Sequence, residues 1–126
     1  MKALIISAAV TLLLILVGFG NSAYVSAQCE AWERQLSAAE NAAVEEDWDT
    51  AKQQLDAMHR SWDKTESYLH IVMHHEDVEE ALVLLQQCRL FAALHDGDAL
   101  LAAGEQLRCQ YRHLAETEEL HLKNIL

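Results

Sequence analysis

A run of side chains between Asp56 and Asp77 carries the groups in this sequence best suited to binding protons or metal ions. At about 100° per residue, Asp56, His59, Asp63, Glu66, His70, His74 and Asp77 fall on one arc of a helix. Within that arc Glu66, His70 and His74 follow at i+4 steps, offering one carboxylate and two imidazoles to a transition metal. A straight helix cannot wrap a tetrahedral ion, so the reading needs ligands from another helix, and the sequence does not identify them. A solvated acidic face with titrating histidines explains the same pattern without any ligand. The 7 histidines of the chain also suit a pH sensor, because imidazoles gain charge as pH falls from about 7 to 5 and acidic neighbours favour that charge.

Other chemistry is harder to find. A carboxylate-bridged dimetal centre in a bundle wants two Glu-x-x-His pairs. Only Glu118-x-x-His121 fits, with Asp56-x-x-His59 a weaker echo, and an up-down arrangement keeps His59 and His121 apart. There is no nucleophile elbow, phosphate-cradling glycine loop or zinc-finger spacing. The expectation is therefore no enzyme and no cofactor. Cys29, Cys88 and Cys109 form an odd set without a CxxC pair. They read either as one disulfide plus a free thiol in an oxidising exterior or, preferably, as three small buried hydrophobes.

The elements that must position these groups follow from composition. At 126 residues the chain has room for one domain. It holds 9 Lys and Arg against 20 Asp and Glu, which excludes phosphate recognition through a basic surface and so a nucleic-acid partner. It has no proline and only 4 glycines, a composition that long helices tolerate best. Ala3 to Gly20 is an uncharged apolar run, roughly 27 Å long as a helix and close to a bilayer's hydrocarbon thickness. Lys2 precedes it, so the positive-inside bias puts the N-terminus in the cytoplasm and the rest outside. Residues 1–22 thus read as a transmembrane anchor in contact with lipid through residues 3–20, and 23–126 as an acidic extracytoplasmic domain. The rival is a cleaved secretory signal ending Val25-Ser26-Ala27, cut after Ala27. Tyr24 is placed to anchor at the membrane interface.

Beyond the anchor the apolar residues keep a helical beat. Val25, Cys29, Trp32, Leu36, Ala39 and Ala43 form one stripe, on a helix continuous with the anchor. Trp48, Ala51, Leu55, Met58, Trp62, Thr65, Leu69 and Val72 form the second. The phase then jumps to Val78, Ala81, Leu85, Cys88 and Ala92, which predicts a break near His75-Glu76-Asp77 with Asp77 and Glu80 as a capping-box-like start. This third helix, apolar nearly all round, is expected to be the most buried. Asp96-Gly97-Asp98 predicts a turn with Gly97 at positive φ and Asp98 as the cap. Leu100, Ala103, Leu107, Tyr111 and Leu114 form the fourth stripe, fading at Glu116 to Glu119. Leu120 to Leu126 is expected to dock on helix one, the alternative being a short peptide offered to a partner. The fold class is all-α: an N-terminal transmembrane helix and an antiparallel, up-down bundle of about four helices. Its core is anchored by Trp48, Leu55, Trp62, Leu69, Leu85 and Leu107.

Several of these landmarks fall in a familiar order. One apolar leading helix is followed by Asp47-Trp48-x2-Ala51, by Trp62, by His75-Glu76-Asp77-Val78-Glu79 and by the terminal Glu119-Leu120-x-Leu122-Lys123-Asn124-Ile125-Leu126. The chain resembles the DUF4363 family of small bacterial single-pass membrane proteins with an exported helical domain. The resemblance implies fold and location and assigns no chemistry; the cysteines and the His74-His75 doublet are not part of it. Together these features predict a membrane-anchored, non-enzymatic accessory module with a membrane or cell-envelope protein as partner. The alternative is a metal- or pH-sensing domain built on His59, Glu66, His70 and His74.

Overall fold

The computed structural model describes residues 1–125, so the last residue of the terminal motif, Leu126, lies outside them, as does the side chain of Ile125. The described chain is all-α: α1 (Lys2–Val44), α2 (Trp48–Val72), α3 (His75–Ala93) and α4 (Gly97–Ile125). Two- and three-residue corners leave each helix no choice but to run antiparallel to the one before it. α1 packs against α2 and α4, and α3 packs against the same two, which closes a four-membered ring around one core. α1 is unbroken from the apolar run into the bundle.

The stripes read from sequence are the core. Val25, Trp32, Leu36, Leu55, Trp62, Leu69, Leu85, Leu107, Tyr111 and Leu114 are all buried, each large apolar side chain contributing roughly 1.5–3 kcal/mol. At mid-bundle Trp32 meets Trp62 and Tyr111, both with ring centroids at 5.3 Å, and its Nε1 donates to Ser61 Oγ at 3.0 Å. Trp48 departs from expectation. It is only half-buried and stacks flat on His95 at 5.0 Å, closing the distal end instead of filling the core.

The two distal corners, α1–α2 and α3–α4, are built alike. Glu46 (φ 61°) and His95 (φ 55°) take the left-handed position. Their N–H groups donate to Ala43 and Ala92, and the next residues, Asp47 and Asp96, donate to Ala42 and Phe91. That is the Schellman pattern made without glycine. Asp47 then caps α2, accepting from Thr50 Oγ1 at 2.7 Å and from Thr50 N at 3.2 Å, and these bonds, the hydroxyl's first, hold its carboxyl below the usual range. Asp96 caps α4 by accepting from Ala99 N at 3.1 Å. The expected roles of Gly97 and Asp98 are thus wrong: Gly97 opens the helix with no positive φ, His95 makes the turn, and Asp96 is the cap.

The α2–α3 break exists but lies at Met73 and His74, earlier than expected. Met73 is extended (φ −129°, ψ 164°) and His74 is the N-cap of α3. Met73 and Val78 occupy the two staple positions around that cap, and both are buried. Apolar anchoring, not a capping box, therefore sets the corner. Asp77 lies inside the first turn of α3, its carbonyl accepting from Gln110 Nε2 at 2.9 Å. α3 is also less buried than its composition suggests, with Val83 and Leu90 exposed. α4 does not fade at Glu116–Glu119 but runs through it, burying Glu118. Within the terminal segment Leu122 docks on α1, since a Cβ on Gly18 would stand 3.1 Å from Leu122 Cδ1 and glycine permits this approach, whereas Leu120 is exposed. Ahead of this contact the apolar run is largely unpacked among the described residues. From Leu4 to Phe19 its large side chains are between 50% and 77% exposed, apart from half-buried Ile15.

Candidate functional site

Most of the ionisable groups that cross helix seams are structural. On the α2–α3 seam Arg89 reaches Asp56 Oδ1 at 3.1 Å, and Gln86 Nε2 lies 3.2 Å from His59 Nε2. The His59 end of the predicted stripe therefore borders α3. On the α1–α4 seam Arg112 meets Glu33 at 3.0 Å, and Arg108 binds Glu40, Glu105 and Ser37. Glu40 and Arg108 are both largely shielded, and a Cβ on Gly104 would stand 3.0 Å from Glu40 Oε2, so the glycine makes room for the pair.

The thiols separate by burial. Cys29 and Cys88 lie in the core, where burial above all pushes each thiol up to about 12 and leaves it unreactive. Cys109 is exposed, against the expectation that all three are buried, and all three are free.

The proximal end, where α2 turns into α3 beside the last turns of α4, collects the remaining titratable groups. Tyr24 and Tyr68 meet edge to face at 5.0 Å, and the Tyr68 hydroxyl donates to Asn21. Tyr24 is thus a packing residue of α1 against α2. Glu118 is buried nearby; burial raises its carboxyl, with His121 partly opposing.

The predicted trio Glu66, His70 and His74 is not brought together. Its i+4 spacing assumed a helix continuing to His74, and α2 ends at Val72. His74 instead faces His121 of α4, ring centroids 6.3 Å apart. What the corner does bring together is His70 and His75. Their Nδ1 atoms stand 2.9 Å apart. Behind them, Glu66 Oε1 lies 3.5 Å from His70 Nε2 and Glu79 Oε1 lies 2.6 Å from His75 Nε2. Next to this pair, Asp77 is taken by His113 Nε2 at 3.4 Å. The sequence reading missed His75 because an i+5 pair does not share a helical face. The signal that finds it is the staple Met73/Val78, which fixes the corner between the two histidines.

Residues 19–125 match the family described as a domain of unknown function, DUF4363. No curated protein and no solved structure matches the chain. The match begins where α1 starts to pack and takes in every helix of the bundle, so the ring of four helices is the family's domain. The chain belongs to the DUF4363 family.

Proposed function

We propose that the chain is a membrane-anchored accessory module whose acidic helical bundle stands outside the membrane and positions itself, or a protein partner, at that surface. One observation carries the reading. α1 is a single helix whose first part is apolar and unpacked and whose second part is a wall of the bundle. It is long and apolar enough to cross a membrane, and a water-exposed stripe of this size calls for an apolar environment. The orientation rests on Lys2, the one side-chain charge ahead of the run.

A non-enzymatic role is supported by the use made of the charged residues. Glu33, Glu40, Asp56, Arg89, Arg108 and Arg112 lock helix to helix. The partner fits an envelope or membrane protein. Reporter fusions at the two ends test the topology, with a carboxyl-terminal fusion active only outside the cytoplasm. Mild cross-linking in native membranes tests the rest, with a stoichiometric protein partner expected. A cytosolic carboxyl end, or recovery of the chain alone after cross-linking, would count against the reading. The mass of the mature protein separates a retained anchor from cleavage after Ala27.

A further inference from the structure

We propose that His70 and His75 form a transition-metal site, their two Nδ1 atoms binding one divalent ion at the α2–α3 corner. The argument begins with the tautomers. A carboxylate beside a ring nitrogen holds the proton on that nitrogen. Glu79 stands 2.6 Å from His75 Nε2 and Glu66 stands 3.5 Å from His70 Nε2, an arrangement that favours the tautomers with free Nδ1 lone pairs, and the two Nδ1 atoms face each other at 2.9 Å. In those tautomers the two lone pairs converge on one point, which a shared proton or a metal ion can occupy.

A metal ion suits the position better than a proton. Two nitrogens this close, each roughly 2.0–2.1 Å from a shared ion, subtend about 90° at it. That is the cis angle of square-planar or octahedral coordination, which points to Cu²⁺ or Ni²⁺ ahead of tetrahedral Zn²⁺. The backing carboxylates complete the carboxylate–histidine–metal arrangement seen around bound metals generally, and a dication balances both of them where a proton balances one. Among the described residues no third His, Cys, Asp or Glu joins the two rings, so water fills the remaining positions. The His75 side chain is 70% exposed, which leaves the ion a path from solvent. The ion would tie the last turn of α2 to the first turn of α3. The assignment needs only the bundle and is independent of which side of a membrane it occupies.

The test uses the full chain in detergent micelles, freed of any affinity tag and titrated calorimetrically with Ni²⁺ and with Cu²⁺. The expected result is one ion per chain, a melting temperature that rises with added metal, and two nitrogen couplings in the Cu²⁺ spin-resonance spectrum. His70→Gln and His75→Gln should each weaken binding at least tenfold. Glu79→Gln, which only orients a ligand, should weaken it by roughly 10–100-fold. His74→Gln, on the same corner, should bind like the parent. Circular dichroism of each variant checks that the bundle persists, and exposed His75 is the substitution least able to disturb it. Absence of binding, binding that survives both His70→Gln and His75→Gln, or an equal loss in His74→Gln would each overturn the assignment.

Discussion

Tyr111 carries its hydroxyl into the core beside Trp32, and among the described residues that oxygen finds no hydrogen-bond partner. Burial above all raises its phenol well above the usual range, with no compensating contact. A buried hydroxyl left unpaired costs the full desolvation of the group, roughly 1–3 kcal/mol. Tyr111→Phe keeps the ring and removes that cost, so the variant should unfold at equal or higher urea than the parent. A lower midpoint would show that the oxygen is paired. Glu118 poses the same question with a titrating group. Its folded carboxyl is raised by burial, so between the unfolded and folded values the native state holds the extra proton. Stability from this residue therefore declines as pH rises through that window, and its cost is complete above it. Glu118→Gln should melt higher than the parent at neutral pH, and the gap should close as pH falls. Melting curves from pH 4 to 8 measure that gap. A gap that is constant with pH would mean the carboxylate is as well solvated in the bundle as in the unfolded chain.

At the scale of the element, the corners show what local sequence encodes and what it does not. Glu46 and His95 each hold the left-handed conformation that glycine takes at no steric cost, a conformation worth about 1–2 kcal/mol against other residues. Glu46→Gly should therefore stabilise the bundle by about 0.5–1 kcal/mol once glycine's extra unfolded entropy is subtracted. His95→Gly should gain less, because it also removes the stack on Trp48. Denaturant midpoints of the two variants test this directly, and a loss in Glu46→Gly would reject it. The four core stripes were legible because burial in a helix repeats every three or four residues, and that period survives any uncertainty about ends. The corners were not. Gly97 draws the turn assignment because glycine usually makes it, and here a histidine does. The acidic residues at 76 and 77 pull the expected α2–α3 break late, whereas the Met73/Val78 staple decides it. His75 was hidden for the same reason, since a contact across a corner has no period. Cys109 and the outer face of α3 show that apolar character is not burial, since ring packing leaves each helix one outward side.

For the whole molecule the decisive question is whether α1 is one structural unit or two. Its helix is continuous, yet the first residue buried in the bundle is Ser22, and large apolar side chains before it contact water on the described surface. An isolated helix gains little from its own backbone bonds, so the leading segment contributes nothing measurable to the bundle's cohesion. In water it costs solubility, because each such side chain forgoes about 1.5–3 kcal/mol of burial. Among the described residues, Leu122 of α4 reaches α1 at Gly18. A chain lacking residues 2–17 should therefore dissolve without detergent, remain helical by circular dichroism, and melt within a few degrees of the full chain in micelles. The full chain should partition into liposomes and the shortened one should not. If the shortened chain instead unfolds or aggregates, the apolar run is a buried part of the fold whose covering surface comes from another molecule. If both forms stay in the aqueous phase, the run is no anchor, because a helix of this hydropathy in contact with lipid does not return to water.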